Sequence, residues 1–255
     1  MKNSKIVLMF HDVYEKTVLE SGFQTDAAKL YKVSKDKFLK QIQTITEYCG
    51  SQNILKDDIL FTFDDGGSSF YSIIAPILNE FGFKGYFFIS TAYIDTEGFL
   101  TSEQVVSLHK DGHIIGAHTH THPGMLNRLT VDELEEEWTV SIEILSELLK
   151  TKILNVSIPG GSFSNEMGNV LANKEVEYIF TSKPTGKIEY FRDNCKIIGR
   201  YTIMNNMEVS QIINLFKKIS LERLKQKIKW DLLSIFKNKL GDKYLSIRNY
   251  LVKSN

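Results

Sequence analysis

Leu60-Phe61-Thr62-Phe63-Asp64-Asp65-Gly66-Gly67 joins an apolar run to a pair of carboxylates and a glycine pair. The run from Ile59 to Phe63 has the length and the β-branched and aromatic content of a buried strand, and Gly66-Gly67 signals chain reversal. The two aspartates therefore fall at the strand's C-terminal end. Adjacent residues there point in different directions, so one carboxylate can bind a metal while the other faces whatever the metal activates. Taken alone, Asp-Asp-Gly is ordinary turn chemistry. Its meaning depends on what the rest of the chain brings to the same place.

Upstream, Lys5 to Phe10 reads as a first strand ending at His11, and a polar loop runs from Asp12 to Val33. Loops of that length are often functional. Ser34 then opens a helix whose apolar positions are Phe38, Ile42, Ile45 and Cys49, closed by Gly50. Downstream, a helix through Tyr71, Ile74, Leu78 and Phe81 leads to Gly82, and Gly85 to Ile89 is the next strand. Thr101 with Gln104, and Thr130 with Glu133, form capping boxes, with Leu100–Val105 and Leu129–Leu134 placed as hydrophobic staples. Between the helices that they open lies the strand His113 to Ala117. Further strands are expected at Ile153 to Ile158, Tyr178 to Ser182 and Lys196 to Ile203. Strand and helix alternate, which argues a parallel sheet with helices outside it. His11, Asp64-Asp65, the histidines from His118 to His122, and Gly160-Gly161 each follow a strand's C-terminal end. Parallel α/β folds place their sites on that face.

With 255 residues, 42% hydrophobic and 24% charged, the chain can bury one substantial core of α/β-barrel size. Its 31 basic residues equal its 31 acidic ones, so nothing in the balance points to nucleic acid. Cys49 and Cys195 are too few and too far apart for a disulfide framework. The apolar run Ile6 to Phe10 is shorter than a signal-peptide core, and no apolar run is long enough to span a bilayer. A cytoplasmic location is the expectation.

The segment Gly116-Ala117-His118-Thr119-His120-Thr121-His122-Pro123 holds three of the six histidines. Neutral imidazole is a good zinc ligand, and a catalytic zinc site commonly has three protein ligands and an open position. In a helix-like turn His118 and His122 reach one ion from the same side; in an extended segment His118, His120 and His122 share a face. One aspartate of the pair would complete the set. His109 and His113 are given no role.

Thr62-Phe63-Asp64-Asp65-Gly66 and His118-Thr119-His120-Thr121-His122-Pro123 together resemble the first two motifs of the polysaccharide deacetylases, carbohydrate esterase family 4 with its NodB-homology domain. The resemblance covers about residues 1 to 204. It implies a distorted (β/α) barrel of about seven parallel strands that removes acetyl groups from N- or O-acetylated sugars with one divalent metal ion, zinc first among them. By position it makes Asp64 the catalytic base and Asp65, His118 and His122 the metal ligands. The third motif departs from the family: Ser157-Ile158-Pro159-Gly160-Gly161 keeps the Pro and the last Gly but lacks the Arg and the aromatic residue. The Gly160 amide can still serve as an oxyanion donor. No histidine follows His122 to act as the late general acid, but Leu8-Met9-Phe10-His11-Asp12 resembles the opening of the circularly permuted branch, in which the acid histidine comes first.

These residues imply hydrolysis of the acetamido group of a sugar, oligosaccharide or polysaccharide, with Asp64 as base and His11 as acid. Two alternatives stand beside it: a hydrolase of the same fold acting on another C–N or ester bond, and a non-catalytic carbohydrate binder. Ser157 cannot hold the base as the family's Arg does. Arg200, on a late strand among residues that read as buried, is expected to meet Asp64 instead, directly or through Asp193 or a water. Arg200→Met is then expected to lower turnover with metal and fold retained. Residues 205–255 form a separate helical extension rich in lysine, with Leu221, Leu224, Ile228, Leu232 and Ile235 at helical spacing. The favoured expectation packs this stripe on the barrel. The alternative holds the basic surface against an anionic membrane, where a lipid-linked sugar would be met.

Overall fold

The computed structural model describes residues 5–192 and 195–240. In chain order its elements are β1 (Ile6–Phe10), β2 (Val13–Tyr14), α1 (Asp26–Lys29), β3 (Val33–Ser34), α2 (Lys35–Ser51), β4 (Ile59–Phe63), α3 (Ala75–Glu80), β5 (Gly85–Ile89), α4 (Ser102–Lys110) and β6 (Ile114–Ala117). They continue as α5 (Val131–Leu149), β7 (Asn155–Ser157), α6 (Asn165–Asn173), β8 (Tyr178–Phe180), β9 (Ile188–Phe191), β10 (Cys195–Ile198), β11 (Tyr201–Thr202), α7 (Val209–Asn214) and α8 (Leu221–Leu240). One sheet runs β11-β1-β4-β5-β6-β7-β8-β10-β9. Every pairing in it is parallel except β9 with β10. Only Gly199 and Arg200 separate β10 from β11, yet these strands stand near opposite ends of the hydrogen-bonded order. Three residue steps span at most about 10 Å, so the sheet must curl until its ends nearly meet. The result is a distorted (β/α) barrel.

The period of two along each strand divides the apolar side chains between two cores. Leu8, Phe10, Phe61 and Phe63 pack outward under the helices with Phe38, Ile42, Ile45, Leu78 and Trp138. Val7, Leu60, Phe88, Phe180 and Ile198 form a smaller cluster inside the curl. Both capping boxes are formed, and the staple residues Leu100, Val105 and Leu134 are buried in the outer core.

The short elements β2, α1 and β3, inside the expected loop, and α6 have no counterpart in the sequence reading, and four further differences stand out. The strand expected from Lys196 to Ile203 is two strands, because β10 pairs with β8 whereas β11 crosses to β1, and the chain bends between them at Gly199-Arg200. β9 had no signal, being short, largely exposed and without a buried apolar run. The helix expected through Tyr71 starts as a π-helical turn, Phe70–Ile74, that buries Phe70 and exposes Tyr71. Pro76 has no N–H to give to the preceding turn, and the Ala75 N–H reaches back five residues to the Phe70 carbonyl.

The fourth difference is at the C-terminal end. α8 attaches by the face that carries Arg223, Gln226, Trp230 and Leu233: Gln226 bonds both the N–H and the carbonyl of Thr202 at 3.0 and 2.9 Å, Arg223 donates to the Leu215 carbonyl while lying over Tyr201, and Trp230 and Leu233 are half-buried. Leu221, Leu224, Ile228 and Leu232 are 72%, 51%, 50% and 51% exposed, so the stripe does not pack on the barrel. The Ile235 side chain, Lys243, Arg248, Lys253 and Asp193 lie outside the described residues. Among the described residues no helix is long and apolar enough to cross a membrane.

Candidate active site

The Asp64 amide bonds the Phe10 carbonyl at 3.2 Å and continues the β4 edge. Asp65 leaves it with φ of 87°, followed by Gly66 at 93°. Asp tolerates positive φ better than most side chains, and here the conformation turns the Asp65 carboxylate out of step with that of Asp64. His118 follows β6, its amide bonded to the Ile89 carbonyl at 2.9 Å and its Nδ1 lying 2.7 Å from the Ser157 carbonyl. A carbonyl can only accept, so Nδ1 carries the proton and Nε2 presents its lone pair. Thr119 and His122 take φ of 62° and 58°. The segment is therefore neither helical nor extended, and its two bends bring the Nε2 atoms of His118 and His122 each 3.4 Å from Asp65 Oδ1. His120 is left out of the cluster, with its Nδ1 2.9 Å from Thr91 Oγ1.

The ligand atoms of Asp65, His118 and His122 lie within 4.8 Å of one another. A tetrahedral ion with bonds of about 2.1 Å needs ligand separations of about 3.4 Å. The two distances to Asp65 Oδ1 match that spacing, and two imidazoles with one carboxylate are a donor set suited to zinc. The residues fit a divalent metal ion.

Asp64 points elsewhere. Its carboxylate takes a forked pair of bonds from Arg200, Nη1 to Oδ1 at 2.7 Å and Nη2 to Oδ2 at 2.8 Å. Arg200 also donates to Ser157 Oγ, Thr62 Oγ1 and the Thr181 carbonyl, and Ser157 Oγ donates to Asp64 Oδ2 at 3.1 Å. Every guanidinium nitrogen is used, which is what lets Arg200 be only 1% exposed. Burial alone would raise the Asp64 pKa, but the Arg200 charge, helped by His118 and His11, outweighs it and keeps the carboxyl below its ordinary value. The same contest at Asp65 is won by hydrogen bonds from His118 and His122, which hold it well below that value.

His11 ends β1 with its ring tilted on Tyr31 at 4.6 Å, and its buried Nδ1 has no hydrogen-bond partner among the described residues. Burial lowers its pKa against the opposing pull of Asp65 and Asp64. Gly160 is exposed on the turn after β7 with φ of 65°. Its turn is tied to the site through Ser157, which touches Asp64, Arg200 and His118.

Supports that the sequence did not point to hold these groups in place. Glu137 of α5 accepts the amides of His120 and Thr121 at 2.9 Å each and the Thr121 hydroxyl at 2.5 Å, so one carboxylate braces the histidine turn. Buried Asp12 accepts from Ser21 Oγ at 2.5 Å and Ser69 Oγ at 2.8 Å. A Cβ on Gly22 or Gly67 would stand 1.8 or 2.0 Å from the Asp12 carboxylate, so only glycine lets the loop close on it. Buried Lys32 donates to the carbonyls of Val18 and Ser21. The loop so pinned carries Phe23 to the His122 ring at 4.9 Å, beside Tyr93 and Phe99. No local pattern marks these residues; their role depends on where α5 and the loop dock.

Residues 51–179 match the family model described as polysaccharide deacetylase. YxkH of Bacillus subtilis (strain 168), whose name assigns it provisionally to polysaccharide deacetylation, is 26% identical over 155 residues, 61% of this chain and 50% of that protein. YlxY of the same organism, named as uncharacterized, is 26% identical over 64% of this chain and 49% of its own length. The chain thus spans about half the length of these curated relatives. Among solved structures, the Streptococcus pyogenes deacetylase PplD, in complex with acetate, superposes with a TM-score of 0.69 at 21% identity, covering 84% of this chain and 98% of that one. IcaB from Ammonifex degensii gives 0.64 at 18% identity over 84% and 97%. These two likenesses establish a shared fold.

Proposed function

This chain belongs to the polysaccharide deacetylase family, and from that premise we propose that it is a metal-dependent hydrolase removing the acetyl group from an N-acetylated sugar, oligosaccharide or polysaccharide. The observation that supports this most is the pairing of an ionised, Arg-held Asp64 with three converging ligand atoms on the neighbouring residues. In this reading residues 1–204 are the catalytic unit and 205–255 an extension. Asp65, His118 and His122 hold one divalent ion, zinc by donor set, which supplies Lewis acidity and lowers the pKa of a water to about 7.

Asp64 takes the proton from the attacking water. Arg200 and Ser157 keep its carboxylate charged and aimed, the task that the family's missing Arg would otherwise perform. As the acetyl carbon becomes tetrahedral, the Gly160 N–H donates to the oxyanion; loss of one such donor typically costs about 3 kcal/mol. An amide nitrogen departs poorly unless protonated, and His11 delivers that proton. Burial opposes the imidazolium, while Asp65 and Asp64 favour it. In this reading His11, which precedes the Asp64 motif, fills the role that the acid histidine has in the permuted branch, which its segment resembles.

Acetate release from N-acetylglucosamine oligomers and from acetyl esters of the same sugars tests this reading. Asp64→Asn should abolish release from both, and His11→Gln should slow the amide far more than the ester, whose oxygen leaves more readily. Bound metal with no acetate from either substrate would favour the same fold working on another C–N or ester bond.

A further inference from the structure

We infer that α8 is a docking surface for an anionic phospholipid bilayer, lying in its headgroup region with Leu221, Leu224, Ile228 and Leu232 turned into the lipid. Surface helices ordinarily turn their apolar stripe to the core. α8 does the opposite, spending Gln226 and Arg223 on the barrel and leaving four aliphatic side chains at i, i+3, i+7 and i+11 at least half exposed, with Ile219 just before them 95% exposed. A row of this kind gains by leaving water for an apolar phase.

Charge selects which phase. Between Lys217 and Ser234 the chain places six basic side chains against two acidic ones, although the whole protein is neutral. The two acids are already engaged within the helix, Glu222 by Lys225 at 2.9 Å and Asp231 by Lys227 at 2.7 Å. The net charge of the segment is therefore basic, and with Arg223 held on the barrel it rests on lysines, whose stems can lie along lipid while their ammonium groups meet phosphate. A second copy seated on the stripe would set like charges against each other. Residues 241–255 carry Lys243, Arg248 and Lys253 against Asp242, so their charge adds to the basic surplus and does not offset it.

Co-sedimentation of the full chain with vesicles of phosphatidylglycerol and phosphatidylcholine tests the inference. Binding to the mixed vesicles should exceed binding to phosphatidylcholine alone by tenfold or more at low salt, and should fall steeply at 0.5 M salt. The triple substitution Leu224→Ser, Ile228→Ser and Leu232→Ser, which leaves every charge in place, should abolish binding without changing the thermal midpoint. Three results would overturn the inference. One is no vesicle binding by the wild type, or binding that the triple variant retains. Another is a wild-type dimer on size exclusion that the variant dissolves. The third is a lowered thermal midpoint in the variant, which would mean that the stripe is covered within the chain.

Discussion

Asp64 and Arg200 share a buried, forked ion pair, and its burial changes what a substitution there should do. Arg200→Met strands a carboxylate in the barrel, so besides lowering turnover it should cost about 3–5 kcal/mol of stability. Retention of the fold, expected from sequence, thus becomes a matter of the protein's reserve. Adding Asp64→Asn to Arg200→Met should recover much of the lost stability in denaturant unfolding; no recovery would mean that Arg200 stabilises through Thr181, Thr62 and Ser157 alone. Arg200→Lys keeps the charge but not the fork, and roughly a 10- to 100-fold loss of turnover is expected with metal content unchanged. Glu137 is the second residue to test. Glu137 holds the backbone between the proposed ligands His118 and His122 and touches neither ring, so Glu137→Gln should weaken zinc binding by less than the roughly 10- to 100-fold that a direct partner of a ligand carries, as read in a competition titration. An unchanged affinity would relegate Glu137 to loop packing.

At the scale of elements, the Asp12 to Val33 loop is where sequence pattern said least and side-chain chemistry says most. Asp12 is sealed between Gly22 and Gly67, and burial pushes its pKa up to about 6 despite the Ser21 hydrogen bond, Lys32 and Ser69. Between about pH 4 and 6 the folded chain therefore holds a proton that the unfolded chain has released. Stability from this group is full below the unfolded value and is lost as pH rises through the folded one, on the order of 2–3 kcal/mol in all. Asp12→Asn should accordingly gain stability relative to wild type between pH 4.5 and 7.5, as read by denaturant unfolding at each pH. Parallel stabilities across that range would place the Asp12 pKa in the ordinary range. The strands and long helices were legible because their periodicity is local: Ile59 to Phe63, Gly85 to Ile89 and the two capping boxes stand where the pattern put them. The break at Gly199-Arg200 was not, since it reflects which distant strand each half pairs with. Nor was the outward stripe of α8, because helical spacing records a face and not the direction it points.

For the whole molecule, topology gathers the site. Parallel strands bring His11, the two aspartates, the histidine turn and the Ser157 turn to one end of the barrel, and near-closure between β10 and β11 drops Arg200 onto Asp64 from the far side of the sheet. The proposed ligand set and base came from the resemblance that two short motifs carry, and the Arg200–Asp64 pair from the cost of burying a guanidinium. Glu137, Ser21 and Ser69 could not be read from the sequence, because their contacts depend on how separate elements dock. A site assembled this way should depend on one ion. The direct measurement is acetate release from an N-acetylglucosamine oligomer by purified protein of known metal content, before chelation, after it and after stepwise return of zinc. A metal-dependent N-deacetylase loses release on chelation and regains it in proportion to zinc, saturating at one ion per chain, with no recovery in Asp65→Asn. Acetate release that persists in the metal-free protein, or that Asp65→Asn leaves intact, would contradict the assignment.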